Sequence, residues 1–104
     1  MVDLESVVGY PEKVQNCTGE AYVYVLRLFD GRYYVGMSKN PKRRVVSHVR
    51  GESTSPDWVK VYPPVEIESV IECPTREEAM RREKVVAEEL ARQHGRGRVR
   101  GGSL

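Results

Sequence analysis

Glu83 is the residue whose type and place most invite chemistry. From residue 75 on, Ala79, Met80, Val86, Ala87, Leu90 and Ala91 recur at spacings of three and four, one face of a helix, and Glu83 fills the slot where that face calls for another apolar side chain. A carboxylate taken out of water without a cation, a metal or hydrogen-bond donors costs several kcal/mol, the order of a small domain's whole stability. Glu83 is therefore a functional candidate; the alternative is a slightly rotated helix that leaves it at the edge of the stripe, paired with Arg76, Arg82 or Lys84. Two phenols come next. A turn at Asp30-Gly31 puts Tyr24 and Tyr34 within about two residues of facing each other across a hairpin, so that both hydroxyls could converge on one side of a sheet. Arg44 and His48, four residues apart, share one helical face. Taken singly, the tyrosines read equally well as half-buried strand residues and Arg44 with His48 as a solvated helix edge.

The elements that would carry these residues are well punctuated. Residues 1–20 form a lead-in broken by Gly9, Pro11, Asn16 and Gly19. Ala21 to Phe29 and Arg32 to Gly36 read as a β-hairpin around Asp30-Gly31. Asn40-Pro41 opens a short basic helix that runs to about Val49, before Gly51. A loop follows, in which Trp58 to Tyr62 forms a brief element that plugs an apolar ring into the core; Val65 to Glu72 alternates as a third strand. Thr75-Arg76-Glu77-Glu78 is a capping box for the long helix bearing Glu83, which ends near His94-Gly95. The expected fold is a small α/β sandwich, a three-stranded, mainly antiparallel sheet flanked by helices, over residues 21–94. Residues 95–104 read as a flexible Gly/Arg-rich tail.

The chain's 104 residues and 11.9 kDa suit one domain with one modest core. No apolar run is long enough for a bilayer span or a signal peptide, so no membrane association is expected and the expected compartment is cytoplasmic. Cys17 and Cys73 lie far apart and outside any metal-binding spacing, which indicates neither a zinc site nor a disulfide framework. A net charge of +2 is too small to announce a nucleic-acid binder, but its distribution is uneven. Arg32, Lys39, Lys42, Arg43, Arg44 and Arg50 fall in a stretch without an acid, and Arg92, Arg96, Arg98 and Arg100 in another. Such a split suggests a positive face that meets phosphates, with Lys39, Lys42, Arg43, Arg50, Arg96, Arg98 and Arg100 as non-specific contacts.

As a set, these residues resemble the GIY-YIG nuclease family. Tyr22-Val23-Tyr24 keeps only the last tyrosine of the first name-giving motif, whereas Tyr34-Val35-Gly36 is a good match to the second; Arg44, His48 and Glu83 follow at the family's spacings. The stretch DGRYYVGMSKNPKRR is similar to the nuclease domain of the excision-repair endonuclease, and EAMRREK to the family's small stand-alone members.

The resemblance implies roles for each residue. Tyr24 would be a general base or its relay toward the attacking water, and His48 would share its proton. Tyr34 would orient water or the scissile phosphate, and Arg44 would hold that phosphate and stabilise the transition state. Glu83 would bind a single divalent ion, Mg²⁺ or Mn²⁺, whose preference for hard oxygen ligands and retained waters lets one carboxylate suffice. The family often carries an asparagine after the last helix; here the region is Gly95 to Val99, with Arg98 the nearest counterpart. The expected activity is metal-dependent hydrolysis of DNA phosphodiester bonds, directed by DNA structure and leaving a 3′-hydroxyl and a 5′-phosphate. The alternative is a weak or inactive nucleic-acid-binding module derived from a nuclease, and a structural adaptor would require Tyr24, Arg44, His48 and Glu83 to point apart.

Overall fold

The computed structural model describes residues 3–101. Strand β1 (Ala21–Leu28) is the centre of the sheet, antiparallel to β2 (Arg32–Ser38) on one side and to β3 (Pro64–Cys73) on the other. The expected three-stranded sheet gains a member: Val99–Gly101 forms β4, parallel to β2, giving a mixed four-stranded sheet in the order β3-β1-β2-β4. Three residues with a single apolar side chain carry no periodic signal. What holds them is burial of Val99, fully enclosed in the same cluster as Tyr33 and Val35. Within the segment read as a flexible tail, residues 96–101 are thus a 3₁₀ turn and a strand, while its last three residues lie outside the described ones.

The hairpin turn also differs from the expected dipeptide. Leu28 pairs with Arg32, so the connection is the three residues Phe29–Gly31. Asp30 and Gly31 adopt φ of 66° and 65°, the left-handed region that aspartate tolerates and glycine enters freely. Phe29, expected as the last residue of the first strand, belongs to the turn and is 63% exposed.

Helices cover both faces of the sheet. The short helices α1 (Pro41–Arg50) and α2 (Asp57–Val61), with the N-terminal segment through Val7 and Val14, enclose Tyr24, Leu26, Leu28 and Ile67. Helix α3 (Arg76–His94) lies on the opposite face, where the small side chains of Ala79, Ala87 and Ala91 let it approach Val23, Val25 and Val35 closely. The caps formed as the residue types demand: the Asn40 side chain accepts from the Arg43 N–H, the Thr75 hydroxyl from the Glu78 N–H, and Gly51 closes α1 at φ 64°. In α2 the residue sunk into the core is Val59; Trp58 is half-buried and donates its indole N–H to the Tyr33 carbonyl at 3.0 Å. Among the described residues no helix is long and apolar enough to cross a membrane.

If β4 belongs to the core, Val99→Ala should lower unfolding stability by about 1–3 kcal/mol, the cost of removing two buried methyl groups from a packed site. Chemical denaturation measures it, and a change within about 0.5 kcal/mol of zero would show that the strand contributes no packing.

Candidate functional site

Tyr24 sits on the central strand opposite Gly36 of β2, while Tyr34 faces Leu26; the tyrosines are diagonal neighbours on the sheet face that α1 covers. Their ring centroids are 6.3 Å apart, and the His48 ring lies 5.8 Å from Tyr24 and 5.4 Å from Tyr34. Convergence depends on Gly36. A Cβ at that position would collide with the Cζ and hydroxyl oxygen of Tyr24, so the phenol lies across backbone that only glycine leaves open.

His48 is held from both sides. The Tyr24 hydroxyl and the His48 Nε2 are 2.9 Å apart and buried, and the His48 Nδ1 is 3.1 Å from the Ser55 hydroxyl. The Ser55 hydroxyl in turn reaches the carbonyl of Ser47 at 3.1 Å, and a carbonyl only accepts. Ser55 therefore spends its proton on Ser47 and accepts from Nδ1–H, which leaves the Nε2 lone pair for the Tyr24 O–H. Sequence reasoning missed Ser55; the only hint was its place in the Ser-Thr-Ser-Pro turn after α1.

Charge completes the cluster. Burial raises the Tyr24 hydroxyl well above the tyrosine range, with Tyr34 adding to the effect; the charge and hydrogen bonding of Arg44 oppose it, and Glu83 reinforces it. Tyr34 is likewise raised by burial and then by Glu83, against Arg44. His48 is lowered to about 4, by burial first and by the Arg44 cation second. Tyr24 and Tyr34 thus each feel both Arg44 and Glu83, and His48 feels Arg44; Tyr24 and His48 are buried, and Tyr34, Arg44 and Glu83 are half-buried. Glu83 is less deeply set than its place in the stripe suggests, and Met80, another stripe residue, is 48% exposed.

The basic residues divide into two groups. Lys39, Lys42, Arg43 and Arg50 are on or just before α1, where Lys39, Arg43 and Arg44 line a cleft with Ser38 and Asn40. Arg96, Arg98 and Arg100 lie on or just before β4, on the other side of β2, where Arg100 pairs in register with Tyr34 and Arg98 reaches the hairpin turn. Arg96 pairs with Glu88 at 2.9 Å, Arg98 donates to the Asp30 carbonyl at 3.1 Å, and Arg100 stacks on Trp58.

With the fold and this cluster in view, the class is clear: the chain belongs to the GIY-YIG family, a family of endonucleases acting on DNA. The family model, described as the GIY-YIG catalytic domain, matches residues 20–96. No curated protein and no solved structure matches the chain at a significant level.

Two outcomes follow from this geometry. Gly36→Ala should displace the Tyr24 ring, destabilise the fold by about 1–3 kcal/mol and break the bond to His48, the last visible as a shift of the His48 ring resonances by NMR. An unmoved His48 signal would mean that the ring has room to slide. The second concerns pH. The unfolded chain binds a proton at His48 near 6.5 and the folded one only near 4, so stability is fully present above 6.5, declines as pH falls between those values and levels off below 4. His48→Gln cannot take up that proton, so its melting temperature should vary less over the same interval; identical pH dependence in both proteins would contradict the burial of a neutral imidazole.

Proposed function

We propose that the protein is a metal-dependent endonuclease that hydrolyses DNA phosphodiester bonds at particular DNA structures. The observation that carries this reading is the buried Tyr24–His48 pair, 2.9 Å apart, with Arg44 and Glu83 acting on it from the solvent side. The cationic groups of this domain, Arg44 beside the tyrosines and the basic residues on α1, would meet phosphates and not base edges, which favours recognition of shape.

A phenol raised by burial is no resting base, but it can relay. Tyr24 would take a proton from the attacking water while passing its own to the His48 Nε2, the atom that the Ser55 and Ser47 contacts leave unprotonated. The water oxygen bonds to phosphorus, the bond to the 3′ oxygen breaks, and that oxygen leaves as a hydroxyl with a proton taken from solvent water. His48 is a weak base in the free protein because burial and the Arg44 cation lower it. A phosphodiester anion bound by Arg44 would offset the repulsion from that cation, so His48 would become the better acceptor once substrate is in place. Tyr34 would position the phosphate or the water beside this pair.

Glu83 would hold the ion. A single half-buried carboxylate would suit Mg²⁺ or Mn²⁺, hard cations that keep most of their waters. When bound, the ion would supply positive charge to the phosphate and the leaving oxygen. A cytoplasmic setting accords with two free thiols, Cys17 and Cys73.

The second reading, a module that grips DNA without cutting it, draws on the same depressed His48 and on a first motif reduced to Tyr24. Mutant kinetics separate the two. Glu83→Gln should abolish Mg²⁺-dependent cleavage with DNA binding retained, and Arg44→Ala should lose cleavage and some affinity. His48→Ala should slow cleavage by about 10²- to 10⁴-fold with partial recovery at high pH, and Tyr24→Phe at least as much with none. Wild-type protein that binds DNA but leaves it intact with either ion would establish the binding module.

A further inference from the structure

Beyond the tyrosine cluster, the same sheet face carries a second feature that no role yet accounts for. Arg32 is two residues from Tyr34 on β2 and so points to the same face, and Arg100 pairs in register with Tyr34 on the neighbouring parallel strand. Between these two arginines stands Trp58. The Arg100 Cζ lies 4.3 Å from the Trp58 ring centroid and the Arg32 Cζ 5.3 Å from it, while Arg32 is also 4.3 Å from the ring of Tyr62. Trp58 and Tyr62 meet edge to face at 4.9 Å, and the indole is anchored on the Tyr33 carbonyl. The result is a fixed ladder, Arg100–Trp58–Arg32–Tyr62.

Its charge is poorly compensated by the protein itself. Arg96, Arg81 and Arg27 each hydrogen-bond a carboxylate. Arg32 donates to the Gly97 carbonyl at 2.9 Å and forms only a loose ion pair with the Asp30 carboxylate at 3.8 Å, and Arg100 donates to the Val99 and Arg96 carbonyls. The Arg32 Nε is buried and has no acceptor among the described residues, a cost that the fold carries. Two like charges on one indole repel, and an anion lying across them would relieve that repulsion. Stacking restrains a guanidinium in its plane; one terminal nitrogen of Arg32 is spent on Gly97 and one of Arg100 on backbone carbonyls, which leaves the second terminal nitrogen of each for phosphate oxygens.

From this juxtaposition, two ring-stacked arginines continuing the face of Tyr24 and Tyr34, we infer that the Arg100–Trp58–Arg32–Tyr62 ladder is a second phosphate-binding station that holds the DNA backbone flanking the scissile bond. The inference rests on the nuclease reading for the class of its ligand. Arg100 is one strand spacing, about 4.8 Å, from Tyr34, and Arg32 about 7 Å along β2 from it, so backbone leaving the tyrosine cluster toward the hairpin turn crosses both. Because the aromatic faces are already engaged by guanidiniums, the station reads phosphates and not bases.

The test uses the full chain and a fluorescently labelled DNA duplex without divalent metal, so that binding is measured apart from cleavage. Arg100→Lys and Arg32→Lys keep net charge but lose the planar stack, and each should weaken binding by about three- to tenfold. Arg100→Gln should in addition lower the slope of log affinity against log salt by about 0.9. Arg81→Lys, an exposed change on α3 outside the ladder, is the control and should bind as wild type does. Thermal melts verify that each variant is folded. Wild-type affinity and slope in the Arg100 variants, or equal losses in Arg81→Lys, would overturn the station and leave the nuclease reading standing. A wild-type chain that does not bind the duplex at all would overturn the station as well.

Discussion

One buried hydrogen bond, from the Tyr24 hydroxyl to the His48 Nε2, ties the central strand to helix α1, and much of the local sequence serves it. Gly36 is there because the phenol lies across β2, and Ser55 because the imidazole needs a defined tautomer. Removing either partner would leave a polar group in the core at a cost of about 1–3 kcal/mol. A small domain whose net stability is of order 5–15 kcal/mol does not place such a pair in its core cheaply. An apolar pair at the same position would be the simpler way to pack α1 on the sheet, and this contrast makes the pair informative about function.

The electrostatics of the cluster are asymmetric in a way that suits a device waiting for its substrate. Burial presses both Tyr24 and His48 toward their neutral forms, and the charges nearby, Arg44 and Glu83, are half-exposed, where solvent and ligands can reach them. Neutral groups inside and ionised groups at the mouth keep the desolvation cost low in the free protein. An anion at Arg44 and a cation at Glu83 would change the potential felt by the buried pair without moving it.

Much of this was legible in the sequence for reasons that are local. The Asn40-Pro41 and Thr75 caps, the Tyr-, Val- and Leu-rich run of β1, and the four-residue step from Arg44 to His48 are all encoded within a few positions, and each formed as its residue types demand. What escaped was set by contacts distant in sequence. Ser55 has no pattern of its own and acquires a role only when α1 brings His48 to it; Val99 is one apolar residue among glycines and arginines until β2 offers an open edge. Glu83 shows the converse limit. Helical periodicity located its column correctly, with Ala79 and Ala87 one turn to either side, but depth depends on how the helix lies against the sheet, and the carboxylate emerged half-buried.

Strand β4 changes what the arginines behind it can do. On a flexible tail, each guanidinium that met a phosphate would lose rotamer freedom on binding, and the backbone would lose about 1–2 kcal/mol of conformational entropy per ordered residue. Pairing of Val99–Gly101 with β2 and burial of Val99 incur most of that cost during folding, before any ligand arrives. Arg98 is likewise engaged, on the Asp30 carbonyl, and Arg96 on Glu88. The segment's charge is therefore presented at fixed positions relative to Tyr34, and fixed charge discriminates shape: a duplex, bend or branch that brings phosphates to both Arg100 and Arg44 gains from both, and one that reaches only a single cation does not. Preference for a DNA structure can thus arise in a domain this small from the spacing of two cationic groups on one sheet face, without contacts to base edges.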